Sequence, residues 1–454
     1  MSLMKRLSWR GLGCLVATAV LFGLQVSAGT PEENWPAWRG PLSTGASLTA
    51  QPPVAWSETN NVKWKIRIPG YGTATPVIWD DRIFIQTAIP TEAKPNESPD
   101  RPAVPPPSGR GGGRPNTEKP TEPYQFVVIC LERQSGKILW QKKAQETVPH
   151  EGFYVGEGSL ASASPVTDGK QVYAFFGSRG LYCFDLQGNQ KWSRDLGKMR
   201  VKMSFGEGSS PALLGNTLVI TWDHEDGSFI VAIDKDTGQE LWRQARAEAT
   251  SWATPLIVQY GGKAQVVTDA SSKIRSYDLS TGALLWECAG LTANVIPTPV
   301  ADDQFVYCMS GFRGNSLMAI RLGGSGDLTD SDSIVWKHNK STPYVPSPLL
   351  IGGTLYFFGG NDAIFSGLDA KTGTKLIDAE RFTELKGVYA SPVGAAGRLY
   401  LVGRNGVCIV ARALGKLEVL ATNRLEEHFD ASPALAGKQL FLRGRDYLYC
   451  LEEK

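Results

Sequence analysis

Histidine is scarce in this sequence of 454 residues, which contains only His150, His224, His338 and His428. No two of them have the spacing of zinc ligands. The chain also lacks the Gly-x-Ser-x-Gly turn that exposes a nucleophilic serine, and no Gly-x-Gly-x-x-Gly phosphate loop follows a predicted strand. These absences exclude the local signatures of zinc enzymes, serine hydrolases and dinucleotide-binding enzymes.

An excess of charge of one sign is missing as well. Lys and Arg total 47 and Asp and Glu total 45, and the first 28 residues hold three basic and no acidic residues. Without that segment the chain has 44 basic and 45 acidic residues, a net charge of −1. This balance gives no electrostatic footprint for nucleic acid. Beyond the N-terminus no apolar run approaches membrane-span length, so we expect no transmembrane segment in the mature chain.

The N-terminus has the three parts of a secretory signal. Lys5, Arg6 and Arg10 precede an apolar run over residues 11–26, and small residues lead to a cleavage site after Ala28. We predict a signal peptide over residues 1–28 and a periplasmic or secreted protein, with an uncleaved anchor as the alternative. Cys14 lies at the start of the apolar run, whereas a lipoprotein cysteine should follow it, so we expect no lipidation.

Six cysteines lie after residue 28, an even number that would allow disulfides in an exported protein. Three of them, Cys130, Cys183 and Cys450, occupy one equivalent position in three repeats, where other repeats carry Ala232 or Ser276. A position that accepts alanine, serine and cysteine is typical of a small buried residue. We therefore expect buried thiols in preference to disulfides.

A Ser/Thr-Pro dipeptide followed by an apolar residue recurs eight times. The spacings between successive prolines are 89, 46, 44, 44, 49, 44 and 41 residues. The long first spacing contains a Pro/Gly/Arg-rich stretch over residues 90–123, which we expect to be a disordered insert. Each period contains four short strand signals, and a period in the forties with four strands is typical of a propeller blade. The prolines are Pro76, Pro165, Pro211, Pro255, Pro299, Pro348, Pro392 and Pro433.

The sequence thus predicts an all-β fold, an eight-bladed β-propeller of four-stranded antiparallel blades over residues 62–454. Residues 29–61 form an N-terminal extension. The last repeat supplies only three strands before the chain ends, and the missing one is present as the strand signal of residues 61–68. Pairing of this strand with the last repeat would close the ring and remove two exposed edges.

The turn before the outer strand has a recurring chemistry. Asp234, Asp278 and Asp369 each stand four residues before a glycine, where a carboxylate can accept backbone N–H bonds while the glycine adopts a positive φ. A tryptophan follows on the outer strand, and we expect it to lie flat between neighbouring blades. These tryptophans are Trp140, Trp192, Trp242, Trp286 and Trp336.

The segment Ala232-Ile-Asp-Lys-Asp-Thr-Gly-Gln-Glu-Leu-Trp242 resembles the tryptophan-docking repeat of pyrroloquinoline quinone (PQQ) enzymes, and residues 131–140 and 277–286 are similar. The resemblance covers residues 62–450 and implies a quinoprotein-type propeller. Quinoprotein dehydrogenases and non-catalytic propellers resembling the assembly lipoprotein BamB share this repeat. The N-terminal motif Trp35-Pro-Ala-Trp-Arg-Gly-Pro41 is similar to one in exported PQQ-binding-like propellers.

Two features depart from the dehydrogenase branch. Those enzymes carry a vicinal cysteine pair that stacks on the quinone, and no two cysteines are adjacent here. Their long loops with calcium ligands are also missing, because the repeats are compact apart from the insert. The fold therefore transfers from the resemblance, and neither function transfers directly.

A functional surface is expected at one mouth of the channel, where the residues before each Ser/Thr-Pro and the turns between the second and third strands meet. Aromatic side chains give binding area there, and arginines give forked donors for an anion. The alternative is that the aromatics only plug the channel and the arginines are solvated. The candidates are Tyr71, Arg179, Glu207, Trp252, Asn294, Arg313, Tyr344, Tyr389, Arg404, Asp430 and Arg443.

Three functional hypotheses follow. The first is a monomeric, non-catalytic binding or assembly platform for an envelope protein or a small anionic ligand. The second is an oxidoreductase with PQQ on Trp252, held by arginines, and with Ca²⁺ on Asp223, Glu225 or Asp226; an exposed acidic turn is the alternative for these carboxylates. The third is a glycan-binding propeller, because rings of Trp and Tyr suit pyranose faces.

Overall fold

The structure, a computed structural model, describes residues 29–91, 117–413 and 416–454. The predicted signal peptide and most of the predicted insert lie outside the described residues. The predicted insert is too long at both ends, because one strand ends at Pro90 and another is formed by Thr117–Glu118. The described residues form eight sheets of four or five strands, and the predicted eight-bladed β-propeller is confirmed.

The first half of the chain supplies blades 1 to 4, two strands that join later blades, and two short strands that pair with each other. The strands are β1 (Ala46–Ser47) and β2 (Val62–Arg67), then β3 (Val77–Trp79), β4 (Arg82–Pro90), β5 (Thr117–Glu118), β6 (Tyr124–Glu132), β7 (Ile138–Thr147), β8 (Phe153–Tyr154), β9 (Val166–Thr167), β10 (Gln171–Phe175), β11 (Leu181–Asp185), β12 (Gln190–Arg194), β13 (Ala212–Leu214), β14 (Thr217–Trp222), β15 (Phe229–Asp234), β16 (Glu240–Ala245), β17 (Leu256–Tyr260), β18 (Lys263–Thr268), β19 (Ile274–Asp278) and β20 (Leu284–Cys288).

Blade 1 is the sheet β3-β4-β6-β7, blade 2 is β9-β10-β11-β12, blade 3 is β13-β14-β15-β16 and blade 4 is β17-β18-β19-β20. The strands β5 and β8 form a separate two-stranded sheet. Short 3₁₀ segments lie at Pro31–Glu33, Gly177–Arg179 and Lys202–Ser204. Among the described residues no helix is long and apolar enough to cross a bilayer.

The second half supplies blades 5 to 8. The strands are β21 (Val300–Ala301), β22 (Phe305–Ser310), β23 (Ser316–Arg321), β24 (Gly326–Asp327), β25 (Ile334–His338), β26 (Leu349–Ile351), β27 (Thr354–Phe358), β28 (Ile364–Asp369), β29 (Lys375–Arg381), β30 (Val393–Ala395), β31 (Arg398–Val402), β32 (Val407–Ala413), β33 (Leu417–Arg424), β34 (Ala434–Ala436), β35 (Gln439–Arg443) and β36 (Tyr447–Glu452). Blade 5 is β21-β22-β23-β25, blade 6 is β26-β27-β28-β29, blade 7 is β30-β31-β32-β33 and blade 8 is β34-β35-β36-β2.

Two short strands extend the blades in ways that the repeat did not predict. The strand β24 adds to blade 4 parallel to β20, and β1 adds to blade 7 parallel to β30. The N-terminal strand β2 pairs antiparallel with β36, with Trp64 opposite Cys450 and Arg67 opposite Tyr447. The outer strand of blade 8 therefore comes from the other end of the chain.

Burial along the strands follows their position in the blade. The second and third strands are buried on both faces because each blade stacks between two neighbours; all six residues of β22 are buried, for example. The outer strand β2 alternates half-buried and exposed residues instead. The six described cysteines are free and buried, as predicted, and burial raises the pKa of the Cys130 and Cys183 thiols to about 12.

Tryptophans on the outer strands join successive blades. In five of them the indole Nε1 donates to a backbone carbonyl in the turn of the next blade at 2.8–2.9 Å, and the ring covers that turn's glycine. Trp286 also packs between two blades, but its Nε1 donates to Gln265 of its own blade at 3.1 Å. The tryptophan–carbonyl pairs are Trp64–Arg133, Trp140–Leu186, Trp192–Lys235, Trp242–Leu279 and Trp336–Ala370.

The Ser/Thr-Pro dipeptides form a belt of hydrogen bonds around the inner strands. The backbone N–H of each Ser or Thr donates to the hydroxyl of the Ser or Thr in the following blade at 2.9–3.0 Å. Between the last and first blades the Thr75 hydroxyl donates to the Ser432 carbonyl at 3.2 Å. The N–H-to-hydroxyl pairs are Thr75–Ser164, Ser164–Ser210, Ser210–Thr254, Thr254–Thr298, Thr298–Ser347, Ser347–Ser391 and Ser391–Ser432.

The N-terminal segment 34–47 crosses one end of the central channel. Trp35 bridges Ile78 of blade 1, Pro36 accepts from Thr167 of blade 2, and β1 pairs with blade 7. These contacts involve residues that follow the Ser/Thr-Pro dipeptides, at the end opposite the predicted mouth. The buried Arg39 donates from Nη2 to the carbonyls of Pro348 and Pro392 at 2.6 and 2.9 Å, and burial lowers the pKa of its guanidinium to about 9.

Candidate binding mouth of the propeller

A cavity of about 230 Å³ opens at the end of the channel where the predicted mouth lies. Its wall comes from the residues just before the Ser/Thr-Pro dipeptides of several blades, and Trp38 of the N-terminal segment also lines it. Because segment 34–47 crosses the channel behind Trp38, the cavity is closed at that end. Five predicted mouth residues contribute to its wall: Glu207, Trp252, Tyr344, Tyr389 and Asp430.

An arc of aromatic rings forms one side of the cavity. The Phe205 ring lies 5.4 Å from that of Tyr154 and 6.3 Å from that of Trp252, measured between centroids. The Trp252 indole Nε1 donates to the Gly206 carbonyl at 2.7 Å, which fixes the orientation of its ring. Rings held in this way offer contact area with little entropy left to lose on binding.

The first charged group of the mouth is a buried ion pair of Arg179 and Glu207. Arg179 Nη1 lies 2.9 Å from Glu207 Oε1, and both side chains are at most 7% exposed. Glu207 also accepts from the backbone N–H and the hydroxyl of Ser178 at 2.6 and 2.7 Å. The predicted role of Arg179 as a donor for an anionic ligand does not fit this arrangement, because its guanidinium already faces a carboxylate.

The second charged group joins Arg404, Asp430 and His428. Arg404 Nε donates to Asp430 Oδ1 at 2.6 Å, and His428 Nε2 lies 3.1 Å from Asp430 Oδ2. Burial alone would raise the pKa of the Asp430 carboxyl, but the His428 hydrogen bond and the Arg404 charge hold it below its usual value. Arg404 also donates to the Gly156 carbonyl and stacks 4.1 Å from the Tyr389 ring centroid. Like that of Arg179, the Arg404 guanidinium is therefore already bonded to groups of its own chain.

The four other predicted mouth residues lie outside the cavity wall. Arg443 is buried among the inner strands, where it donates to the carbonyls of Gln86 and Ala74. Asn294 is buried and accepts from Lys202 Nζ at 2.9 Å. Arg313 is exposed beside Phe312, and Tyr71 packs against Arg445. These four residues are not part of the cavity wall, so the structure brings only some of the predicted mouth residues together.

The acidic turn of blade 3 does not bring its carboxylates together. Asp223 is buried against Arg246, Glu225 accepts from the Thr250 hydroxyl at 2.7 Å, and Asp226 pairs with Arg200 at the surface. Among the described residues no three His, Cys, Asp or Glu side chains form a group that could hold a metal ion. The proposed calcium ligands thus have separate partners. Asp226 is exposed, as the alternative of an exposed acidic turn expected, whereas Asp223 is buried.

The same neighbourhood does not fit a bound PQQ. The space that Trp252 shares with Asp223 and Arg179 is about 20 Å³, enough for a water molecule but far below the size of a tricyclic quinone. Trp252 also lines the cavity of about 230 Å³, but none of the proposed calcium ligands Asp223, Glu225 and Asp226 belongs to the wall of that cavity. The arginines expected to hold its carboxylates are paired with Glu207 and Asp430. The residues present therefore do not form the expected quinone and calcium site.

Trp38, Tyr154 and Glu157 are among the wall residues that were not predicted. Trp38 lies in the N-terminal extension, Tyr154 ends β8, and Glu157 lies in the loop between β8 and β9. The motif around Trp35 and Trp38 was visible in the sequence, but nothing local placed it across the channel. Glu157 has no basic side chain within 4 Å among the described residues, and its carboxylate lies near the Tyr389 hydroxyl. Burial and this carboxylate raise the pKa of the Tyr389 hydroxyl.

A family model described as outer membrane protein assembly factor BamB matches residues 124–223 and 225–454, well over half of the chain. A protein of that name from Francisella salina is 29% identical over 131 residues. That match covers 27% of this chain and 23% of the relative, so it spans less than a quarter of the relative's length.

Solved structures show the same fold. BamB from Moraxella catarrhalis superposes with a TM-score of 0.53 at 12% identity, over 86% of this chain and 97% of that one. Quinohemoprotein alcohol dehydrogenase from Comamonas testosteroni superposes with a TM-score of 0.61 at 10% identity, over 94% of this chain and 81% of that one. At these identities the similarity concerns the fold alone, and it does not separate the two branches.

Proposed function

Because this chain belongs to the family of outer membrane protein assembly factor BamB, we propose that it is a non-catalytic binding or assembly platform in the cell envelope. The observation that carries the proposal is the blind, aromatic-walled cavity at the mouth. Concave sites with ordered apolar walls and a few polar groups are the usual places for recognition. The buried ion pairs around it fix the wall in one arrangement before any ligand arrives.

Export is part of the same proposal. The sequence of residues 1–28 has the signature of a secretory signal, and we propose that its removal leaves a periplasmic or secreted protein. N-terminal sequencing of the protein isolated from its own envelope tests this point. A mature chain that begins at Gly29 supports export with cleavage, whereas a chain that retains residues 1–28 in the cytoplasm contradicts it.

The competing function, a PQQ-dependent oxidoreductase, makes a different prediction for the purified protein. A ligand at about 100 times its Kd adds roughly 2.7 kcal/mol to the free energy of unfolding. We expect PQQ with Ca²⁺ to leave the unfolding temperature unchanged, because Arg179, Arg404 and Asp223 are committed to other partners. A clear rise that is lost in Trp252→Ala would favour the oxidoreductase.

The platform itself is tested on the full chain in its own cells. Native gel electrophoresis of gently solubilised envelopes should show the tagged protein in an assembly larger than a monomer. Phe205→Ala, which interrupts the aromatic arc, should release the monomer, while Leu241→Ala on the exposed outer strand β16 should not. A protein that migrates as a monomer in every variant and every extract contradicts the proposal.

A further inference from the structure

The charge of the mouth cavity is opposite to the one that its arginines predict. Among the described residues its wall contains the carboxylates of Glu157, Glu207 and Asp430 and no Lys, Arg or His side chain. The two nearest guanidiniums, Arg179 and Arg404, lie behind the wall and face Glu207 and Asp430. Glu207 and Asp430 thus each have an arginine partner, whereas the Glu157 carboxylate has no ion pair among the described residues and its negative charge is uncompensated.

That uncompensated charge is carried by Glu157. The side chain is half-buried in the cavity wall, and its carboxylate lies close enough to the Tyr389 hydroxyl to raise the pKa of that group. Arg404 lies close enough to interact with it electrostatically, but the guanidinium donates its hydrogen bonds to Asp430 and Gly156. Two other cations lie near the wall without belonging to it. Lys202 is bonded to Asn294 and lies near Glu225, and Arg313 stacks on Phe312, whose ring packs on Tyr344.

The rings beside Glu157 suit a cation for an independent reason. The faces of Tyr, Phe and Trp attract positive charge through the ring quadrupole, and more strongly when the site is desolvated. Tyr154, Phe205 and Trp252 form a continuous arc on the wall, and Tyr344 lies in the same wall. Tyr389 is the exception, because Arg404 already stacks on it.

We propose that the mouth cavity binds a lysine side chain presented by a partner protein, with the ammonium group between Glu157 and the rings of Trp252 and Phe205. This inference rests on the proposed function, since it names the chemical group through which the platform takes hold of its partner. It replaces the small anionic ligand expected from the sequence. A lysine has the four-carbon stem that an aromatic cavity of about 230 Å³ can cover while the charge meets the carboxylate.

The probe for this site is N-acetyl-lysine methylamide, titrated into the purified chain and followed by ligand-observed NMR. N-acetyl-norleucine methylamide has a stem of the same length without the charge, and N-acetyl-glutamate methylamide carries the opposite charge. We expect the lysine probe to bind about tenfold more tightly than either, which corresponds to about 1.4 kcal/mol. Equal binding of the norleucine probe, tighter binding of the glutamate probe, or no binding of the lysine probe would overturn the inference.

A matched pair of variants ties the effect to Glu157. Glu157→Gln keeps a hydrogen-bonding side chain for Tyr389 but removes the charge, and it should weaken the lysine probe about tenfold. Glu240→Gln removes a carboxylate from the exposed outer strand β16 and should leave the affinity unchanged. Equal affinity in Glu157→Gln and the parent would contradict the proposal, provided that both unfold at the same temperature.

The test of lysine binding can be distinguished from the test of the proposed binding platform. If the lysine probe fails while the native assembly persists and still depends on Phe205, the lysine proposal is wrong and the platform stands. If a neutral methyl glucoside binds at the same cavity and the lysine probe does not, the rings serve a glycan and the charge argument is wrong. If the assembly is absent, the platform is wrong even where an isolated lysine binds.

Discussion

The Asp223 carboxylate and the Arg246 guanidinium form a two-pronged pair inside the propeller, with Oδ1–Nε at 2.7 Å and Oδ2–Nη2 at 3.0 Å. Neither side chain is exposed to solvent. Arg246 also donates to Thr268 and Tyr277 of blade 4, so the pair fastens blade 3 to its neighbour. The sequence had suggested Asp223 as a calcium ligand, whereas the structure uses it as a link between blades.

Breaking this link should be costly. Asp223→Ala leaves the Arg246 charge buried without its partner, and we expect a loss of about 3–5 kcal/mol in the free energy of unfolding. Asp226→Ala is the control, because its ion pair with Arg200 lies at the surface, with side chains more than half exposed, and should contribute far less to the free energy of unfolding. Denaturant unfolding measures both. Equal losses in the two variants would show that the buried pair has no special role.

The belt of hydroxyls around the channel makes a second prediction. Ser347→Ala leaves the buried N–H of Thr298 without an acceptor and should lower the free energy of unfolding by about 1–3 kcal/mol. Ser347→Thr retains the hydroxyl, as other blades do with Thr254 and Thr298, and should stay closer to the parent. The unfolding temperatures of the three proteins decide the matter; if the alanine variant is as stable as the parent, the belt does not stabilise the ring.

The glycine beneath each docked tryptophan gives a third prediction. A Cβ at Gly282 would lie 2.6 Å from the Trp242 ring, and its φ of +75° is strained for other residues. At Gly261 the φ is also positive, at +57°, but no atom lies within 4 Å. Both alanine variants should lose about 1 kcal/mol to backbone strain, and Gly282→Ala about 1–3 kcal/mol more from overpacking. Identical losses would mean that the tryptophan moves aside at no cost.

A buried carboxyl between blades 4 and 5 predicts a pH dependence of stability. Burial raises the pKa of Asp269 from 3.8 to about 7, while Met309 N–H donates to it at 3.3 Å. Because the folded state holds this proton more tightly than the unfolded state, the free energy of unfolding should fall as the pH rises from about 4 to 7, by up to about 4 kcal/mol.

Asp269→Asn removes the titration and should flatten that part of the profile, so that the variant is more stable than the parent at pH 8. Asp303→Asn, at an exposed position of blade 5, should leave the profile unchanged. Unfolding curves recorded from pH 4 to 8 compare the three proteins. A parent whose stability is constant over this range would refute the assignment to Asp269.

The features that could be predicted from the sequence are local and repeated. The Asp of each turn sets its own hairpin, as when Asp234 Oδ1 accepts from the backbone N–H of Thr237 at 2.8 Å. A tryptophan recurs on six of the outer strands, and the Ser/Thr-Pro proline recurs eight times at nearly constant spacing apart from the insert, so the repeat identifies the architecture. Which residue of the next blade each of these side chains contacts depends on how the blades stack in the ring.

The electrostatics of the mouth could not be predicted in the same way. Arg179 and Glu207 stand 28 residues apart and belong to successive blades, so their pairing depends on how the blades stack. In the sequence each side chain could be assigned to a ligand, whereas in the structure the two charges neutralise each other. Trp38 closes the cavity from an extension that has no repeat at all, and Glu157 lies in a loop without a periodic pattern. Non-repeating residues therefore define the cavity that the repeats enclose.

The most direct measurement of the central claim is site-specific photo-crosslinking in living cells. A photoreactive residue replaces exposed Arg313, near the mouth beside Phe312 and Tyr344, or exposed Leu241 on the outer strand β16. We predict a discrete protein adduct from position 313 that disappears when Trp252→Ala is added, and none from position 241. Adducts of equal yield from both positions, or an adduct at 313 that ignores Trp252, would contradict a platform that works through its mouth.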